Sequence, residues 1–347
     1  MNKTIATLLL LLATIGLKAQ PNSNTYFLPA TAMKFQFLVE KTVYTPGELA
    51  TYAQRYMKKT GVRQEPYTEY RIISTQMIPV GVPDTTKQFQ LSNDRRFSIS
   101  EVQRDESGTL LAINTAHPAP TVELPTFTPS RKRRHLNPSD FMNEDILTAG
   151  STAKMAELCA QEIYDIRDSR NQLQRGQAEN MPKDGQQLRI MMDGLDTQER
   201  ALMQVFEGQT DVDTTQVTID YLPTQAVERQ LLFRFSRHFG FCDADDLAGA
   251  PYYVTVVDER NAKPDETKGK DKKPKDELGL YVNVPGRIQV ALYKEDKVME
   301  KYTLNAAQFG KIEPLSPDLF GKKMTSQIIL SPITGAIESI KEAALEK

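Results

Sequence analysis

Hydrophobic and polar residues alternate in short runs from Thr25 to about Asn114. Phe35, Phe37 and Val39 recur at every second position, which places them on one face of a β-strand. The runs are interrupted by turn-forming residues at Thr45-Pro46-Gly47, at Pro79 to Pro83 and at Asp105 to Gly108. This stretch is therefore predicted to be rich in β-strands, with one short helix at Glu48 to Lys58, where apolar residues have helical spacing.

The period changes to that of a helix after Ser151, a favourable N-cap residue. Apolar residues follow at helical spacing up to Gly176, and a second such series runs from Leu188 to Gly208. The polar segment Gln177 to Gly185 joins the two, so the pattern predicts an antiparallel helical hairpin. Its inner face carries four methionines, which are more typical of core packing than of a ligand groove: Met155, Met191, Met192 and Met203.

Alternation with a period of two returns from Thr214 onward, for example at Val217, Ile219 and Tyr221. The turn residues Pro285-Gly286 predict a hairpin, and Pro332 to Gly335 predict a final one. Several short strands with regular turns indicate a sandwich. The insert Lys263 to Glu277 has alternating charges and no apolar side chain, which is typical of a solvated loop.

These patterns predict an α+β fold, in which two β-rich, sandwich-like regions have a helical hairpin between them. The predicted segments are a signal peptide at 1–19, an N-terminal β-rich domain with one short helix at 25–115, a Pro-rich basic linker at 116–149, the hairpin at 150–208 and a C-terminal sandwich-like domain at 212–345.

The first residues have the three zones of a secretory signal. Lys3 supplies the positive charge, Ile5 to Leu17 form the apolar segment and Ala19 is the small residue before the expected cleavage. The apolar segment is shorter than the roughly 20 residues that a membrane-spanning helix needs. An uncleaved anchor is the alternative. We expect an exported protein without a further transmembrane span, in the periplasm, at the outer membrane or secreted.

Composition and motifs exclude several function classes. Loss of Lys3 and Lys18 reduces 43 basic residues to 41 against 45 acidic ones, a net formal charge of −4, which argues against nucleic acid as a partner. His117, His135 and His238 lack the spacing of a zincin site, and neither a nucleophile elbow nor a phosphate-binding loop occurs. No catalytic residue, cofactor or metal is predicted.

Some features leave two interpretations open. Asp243, Asp245 and Asp246 could hold calcium, although the spacing lacks the EF-hand pattern and favours a solvated turn. The basic run Arg131 to Arg134 could meet an anionic partner or simply keep a loop solvated. Aromatic residues such as Tyr26, Tyr44 and Tyr52 could form a sugar platform, but core packing is favoured. Cys159 and Cys242 could pair or stay free.

A set of short motifs is spread along the chain: Thr25 to Pro29, Glu40 to Gly47, Tyr52-Ala53, Arg55-Tyr56, Ala156-Glu157, Ile166-Arg167, Asn180 to Gly185, Val284 to Arg287, Ala307 to Gly310 and Thr334 to Ala336. As a set, these motifs resemble the uncharacterised domain-of-unknown-function family 4831. The resemblance covers nearly the whole chain after the signal peptide. It implies a protein exported by bacteria of the Bacteroidetes type, and it transfers no catalytic or binding residue.

The leading hypothesis is a non-enzymatic cell-envelope protein that binds another envelope protein or a surface glycan. Loops on rigid scaffolds often carry function, so the candidate binding residues are Asn180, Met181, Pro182, Lys183, Asp184 and Gly185, together with Arg131, Arg133 and Arg134. The alternatives are a periplasmic hydrolase that uses acidic residues and an accessory factor in secretion or outer-membrane assembly. The oligomeric state stays open.

Overall fold

A computed structural model describes most of the chain. The described residues are 25–92, 96–118, 125–129, 135–259, 278–321 and 324–344. The predicted signal peptide at 1–19, the basic run Arg131 to Arg134 and the charged insert Lys263 to Glu277 lie outside the described residues.

Twelve strands and four α-helices are assigned within these ranges. The strands are β1 (Thr25–Thr45), β2 (Tyr67–Gln90), β3 (Val102–Arg104), β4 (Leu110–Ile113), β5 (Gln209–Tyr221), β6 (Val227–Ser236), β7 (Gly240–Cys242), β8 (Ala250–Asp258), β9 (Tyr281–Lys294), β10 (Lys297–Pro314), β11 (Met324–Leu330) and β12 (Ile337–Ala344). The helices are α1 (Ala53–Met57), α2 (Glu144–Leu147), α3 (Thr152–Gln174) and α4 (Gly185–Glu207).

The strands form three antiparallel sheets, which confirms the α+β class. The first sheet has the order β2-β1-β5, the second β10-β9-β8-β6-β7 and the third β12-β11-β4-β3. Strands from both predicted β-rich stretches share the first and third sheets, since β1 pairs with β5 and β4 pairs with β11. The predicted domain boundaries stay a prediction.

The first and second sheets pack face to face around the largest apolar cluster. Met33, Phe35 and Phe37 of β1 have no solvent exposure and meet Phe233 and Val290 of the second sheet. The predicted one-sided face of β1 is confirmed, because alternate side chains of a strand point to the same side.

The predicted turn at Pro79 to Pro83 is wrong. Strand β2 runs through it without a break, and Pro79 and Pro83 lie opposite Met33 and Pro29 of β1. Proline is tolerated there because β2 is an edge strand of its sheet, where a missing N–H faces outward and costs no ladder bond.

The predicted hairpin at Pro285-Gly286 is also wrong. Both residues lie within β9, which continues from Tyr281 to Lys294. The pairing with β10 shifts register between Ala306 and Lys311, opposite the segment that holds Pro285. Such a β-bulge is one of the few places where a strand accepts proline.

The helical hairpin is confirmed together with its ends. The Ser151 side chain accepts a hydrogen bond from the amide of Lys154, and Asp184 caps α4 in the same way through Gln187. Gly176 and Gly208 after the two helices have positive φ values of 68° and 76°, which favour glycine. The hairpin packs with α1 around an apolar cluster that includes Ile163 and Phe206.

The linker is more regular than its proline content predicts. Asn137 caps a 3-10 helix at Pro138–Phe141, and Asn143 caps α2, which buries Ile146. Proline in the first turn of a helix leaves no hydrogen bond unmade, so it starts an element here and does not break one. None of the helices in the described ranges is both long and apolar enough to cross a membrane.

Candidate functional site

A cleft of about 710 Å³ opens where the ends of the first and second sheets meet. Strands β1 and β2 form one wall. The other wall consists of β6, the β6–β7 turn, β8 and the turn between β9 and β10. Its charged lining residues are three acids and three permanent cations, with His238 beside them: Glu40, Glu69, Glu295, Arg71, Arg237 and Lys294. The volume lies in the range of about 300–1,000 Å³ that is typical of ligand pockets.

The wall from the first sheet carries a cross-strand ion pair. Glu40 of β1 and Arg71 of β2 are direct partners in the strand register, so their side chains leave the same face of the sheet. Arg71 Nη2 lies 2.9 Å from Glu40 Oε1. The Arg71 side chain is 73% exposed and that of Glu40 only 23%, so the guanidinium faces solvent.

A second ion pair joins the two sheets at the cleft. Arg237 Nη2, in the turn between β6 and β7, lies 2.7 Å from Glu69 Oε2 on β2. Arg63 approaches the same carboxylate at 3.9 Å. The Arg237 side chain is 67% exposed and that of Glu69 is 24% exposed. Here too the acid is the more covered partner and the cation the more exposed one.

The opposite wall places a lysine over a buried tyrosine. The Tyr252 ring stacks on Phe233 with centroids 4.5 Å apart, and Lys294 Nζ lies 5.9 Å from the Tyr252 centroid. Burial raises the pKa of Tyr252, and the Glu295 carboxylate adds to the rise. Among the described residues, no carboxylate lies within ion-pairing distance of Lys294.

The serine and histidine of the cleft do not form a nucleophile and base. Ser236 is 5% exposed, and its Oγ accepts a hydrogen bond of 3.2 Å from the backbone nitrogen of His238. The contact is made by the histidine backbone and not by its ring. These two residues therefore lack the hydrogen bond between a serine hydroxyl and an imidazole ring that is typical of a nucleophile and its base.

Two large apolar side chains that adjoin lining residues along the chain face solvent. Phe239 is 69% exposed and follows the lining residue His238. Leu247 is 83% exposed and precedes the lining residue Ala248.

The predicted binding loop lies elsewhere, at the tip of the helical hairpin. Asn180, Met181, Pro182 and Lys183 are in the connection between α3 and α4, Asp184 caps α4 through a 2.7 Å bond to Gln187, and Gly185 is its first residue. Met181 is 40% exposed. None of these residues lines the cleft. Arg131, Arg133 and Arg134 lie outside the described residues.

The remaining candidates of the sequence have structural roles. Asp246 closes a turn, accepting 2.9 Å from the amide of Ala248, and no group of three potential metal ligands occurs within the ranges that the structure describes. Tyr26 and Tyr44 are 0% and 7% exposed, so they pack in cores and form no sugar platform. Met203 is buried as expected, but Met191 is 43% exposed and faces outward.

The cysteines form no disulfide. Cys159 is fully buried in the helical cluster, while Cys242 ends β7 in the second sheet. Burial raises the pKa of Cys159 to about 11, with smaller contributions from the Glu48 and Glu162 carboxylates.

Several glycines of the family-like motifs allow close backbone contact. A Cβ atom on Gly310 would lie 1.8 Å from the carbonyl oxygen of Val284, and one on Gly286 would lie 2.1 Å from that of Phe309. Next to the helical hairpin, a Cβ on Gly47 would lie 2.2 Å from the carbonyl oxygen of Val205 in α4. These motif positions are explained by packing.

Sequence reasoning missed Arg71, Arg237, Lys294 and Phe239. They come from separate strands and turns, so no local spacing connects them. One signal was available, since Arg237-His238-Phe239 places an aromatic residue in a tight turn between two strands.

The comparisons with known proteins give one match. The model of the family described as "Domain of unknown function (DUF4831)" matches residues 22–338, which is nearly the whole chain. The searches of curated proteins and of solved structures return no match. With a match of this extent, which includes every strand from β1 to β11, the chain belongs to the DUF4831 family.

Proposed function

We propose that the protein is an exported cell-envelope binding module, without enzymatic activity, that takes a segment of its partner into the cleft. The observation that carries this proposal is the combination of exposed cations on one concave surface with exposed apolar side chains that adjoin its lining in sequence. The Arg71 and Arg237 side chains are largely exposed, and Phe239 lies two residues after Arg237 in the β6–β7 turn.

The ion pairs favour binding over acid–base chemistry. Glu40 and Glu69 are the carboxylates of this wall, and each is held by an arginine at 2.9 Å or 2.7 Å. Both carboxylates are therefore already engaged as ion-pair partners within the fold. The hydrolase alternative therefore gains no support from these two residues.

The rigid setting of the cleft also supports recognition. The amide of Tyr70 on β2 donates a 2.7 Å hydrogen bond to the carbonyl of Arg237, which fixes the β6–β7 turn against the first sheet. Arg237 and Phe239 are then presented from a backbone that is already ordered. Preorganised groups bind with a smaller loss of conformational freedom.

In-cell photo-crosslinking tests the proposal and its location. A photoreactive amino acid replaces Phe239 at the cleft, Met181 at the hairpin tip, or Ile340 on the third sheet as an exposed control. A discrete product at Phe239 that is absent at Ile340 is the expected result. A product at Met181 would support the predicted loop as a further contact, and equal or no labelling at Phe239 and Ile340 would contradict the cleft.

Export and cleavage of the signal peptide are tested by a separate measurement. Cleavage after Ala19 leaves Gln20 as the first residue of the mature chain. Mass spectrometry of the protein from the envelope fraction should find this new terminus. Protein that keeps Met1 and stays in the cytoplasmic fraction would contradict export.

A further inference from the structure

We infer that the cleft recognises an acidic, extended peptide segment that also carries apolar side chains, contributed by the partner protein. The inference rests on the proposed binding function and adds the chemical class of its ligand. Four features carry it: the exposed arginines of the cleft, a lysine with no acid partner among the described residues, the exposed apolar residues that adjoin the lining in sequence, and the small amount of open aromatic surface on its floor.

The ion pairs turn their positive ends to the solvent. In both pairs the arginine side chain is about three times as exposed as its acid, with 73% against 23% for Arg71 and Glu40 and 67% against 24% for Arg237 and Glu69. On this wall the guanidinium groups are more accessible to a ligand than the carboxylates that they bind. Guanidinium groups bind carboxylates with short, charge-assisted hydrogen bonds.

Lys294 adds a third cation on the opposite wall. Its ammonium group lies over the Tyr252 ring and has no carboxylate partner within ion-pairing distance among the described residues. Glu295 is the one exposed acid of the lining, and its backbone carbonyl is bonded to Arg229 Nη2 at 2.7 Å. Cations on both walls suit a ligand with acidic groups at more than one position.

The exposed apolar residues distinguish a peptide from other anions. Phe239 and Leu247 are 69% and 83% exposed, and along the chain they adjoin the lining residues His238 and Ala248. A peptide can cover them with apolar side chains while its acidic residues reach the arginines. An exposed leucine gains little from a sugar or from an inorganic anion, because both are strongly hydrated.

The aromatic residues inside the cleft disfavour a glycan. Tyr252 and Phe235 are 4% and 8% exposed, and Tyr252 is already stacked on Phe233. Tyr70 packs against Gly240, where a Cβ would lie 3.3 Å from its ring. The floor therefore offers little ring surface for sugar stacking.

Fluorescence anisotropy with defined peptides tests the inference. The probe is a labelled decapeptide of repeating Glu-Leu, and its matched control is repeating Gln-Leu. We expect the acidic peptide to bind at least about tenfold more tightly, since hydrogen bonds between charged groups are the stronger ones. Binding should weaken as salt rises. Equal affinity for the two peptides would overturn the acidic requirement.

Variants locate the site. R71Q combined with R237Q should weaken binding of the acidic peptide by about tenfold or more, and F239S by a smaller factor. R287Q is the matched control, because Arg287 is also 69% exposed and paired with Glu259 at 2.9 Å, but outside the cleft. Unchanged binding in R71Q/R237Q, with thermal unfolding like that of the wild type, would overturn the inference.

Two further outcomes separate this inference from the proposed function. If polygalacturonate binds and the peptides do not, the ligand is an acidic glycan and the peptide inference is overturned, while binding as a function stands. If no probe binds although the crosslink at Phe239 forms, the acidic chemistry is overturned and the proposed function again stands. Loss of the crosslink would count against the function itself.

Discussion

The backbone amide of Tyr70 donates a 2.7 Å hydrogen bond to the carbonyl oxygen of Arg237. This one bond connects the edge strand of the first sheet to a turn of the second sheet. It places the Arg237 side chain beside Glu69, to which it is bonded at 2.7 Å. The cleft is thus a consequence of how the two sheets meet, and its charged wall is built on backbone that the fold already fixes.

The backbones of β9 and β10 are closely packed at the bulge, so a single methyl group added there should lower the stability of the protein. G310A would place a Cβ 1.8 Å from the Val284 oxygen, so one strand must move. We expect a loss of about 1–3 kcal/mol in the free energy of unfolding, measured by urea denaturation.

The matched control is G194A, in the middle of α4, where no atom beyond the neighbouring backbone of the helix itself lies within 4 Å of an added Cβ. This variant should gain up to about 1 kcal/mol, because alanine favours a helix over glycine. A G310A protein as stable as the wild type would contradict the close backbone packing of β9 and β10 at this position.

The Glu199 carboxylate lies between α3 and α4, and its loss should lower the free energy of unfolding. Glu199 of α4 accepts from Arg167 Nε at 2.6 Å and from Arg170 Nη1 at 2.5 Å, and its side chain is 14% exposed. We expect E199Q to lower the unfolding free energy by about 1–3 kcal/mol, because charge-assisted bonds in a partly buried place are lost.

The comparison for E199Q is E157Q. Glu157 pairs with Lys154 at 3.1 Å, but both side chains are more than half exposed, at 56% and 52%. Removing such a pair should cost less than about 0.5 kcal/mol. Equal losses in the two variants would mean that the Glu199 cluster does not hold α3 and α4 together.

The two cysteines should differ in reactivity toward thiol reagents. Cys159 is fully buried and its pKa is raised to about 11, so at pH 8 it is protonated and shielded. Cys242 is only partly buried. Mass spectrometry after maleimide treatment of the folded protein should find modification at Cys242 alone, and at both residues in urea. Rapid labelling of Cys159 under native conditions would contradict its place in the helical core.

The same thiol predicts how stability depends on pH. In the unfolded chain Cys159 ionises near its ordinary value of 9.0, whereas burial keeps it protonated in the folded chain up to about 11. The folded state then holds the proton more tightly, so stability from this residue is full below pH 9 and is lost as pH rises toward 11.

Urea denaturation of the wild type and of C159A between pH 8 and pH 11 measures this effect. The wild type should lose up to about 3 kcal/mol more than C159A over this range. Comparing the two proteins removes the contribution of the buried tyrosines, which are present in both. Parallel curves would contradict the raised pKa.

The elements with a complete local signal were predictable from the sequence. The helical hairpin combines apolar residues at helical spacing with a capping serine at 151 and glycines at 176 and 208, and all of these have their expected roles. The same holds for the alternating face of β1. Such features depend on neighbours in sequence, which the pattern contains.

Tertiary context decided the features that were not predictable. Pro79 and Pro83 look like a turn, but an edge strand accepts them, and Pro285 looks like a turn but lies opposite a bulge of β10. Pairings such as β1 with β5 join residues far apart along the chain. The cleft combines Glu40, Arg71, Arg237 and Lys294 from four separate places, so no spacing in the sequence indicates it.

In-cell crosslinking at position 239 tests the central claim most directly when the wild-type protein is compared with two variants. The photoreactive residue is placed at 239 in the wild type, in R71Q/R237Q and in R287Q, and the yield of the partner product is compared at equal protein levels. We predict that the product is kept in R287Q and reduced by about tenfold in R71Q/R237Q. Equal yields in all three backgrounds, or no product in any, would contradict a binding site built on these arginines.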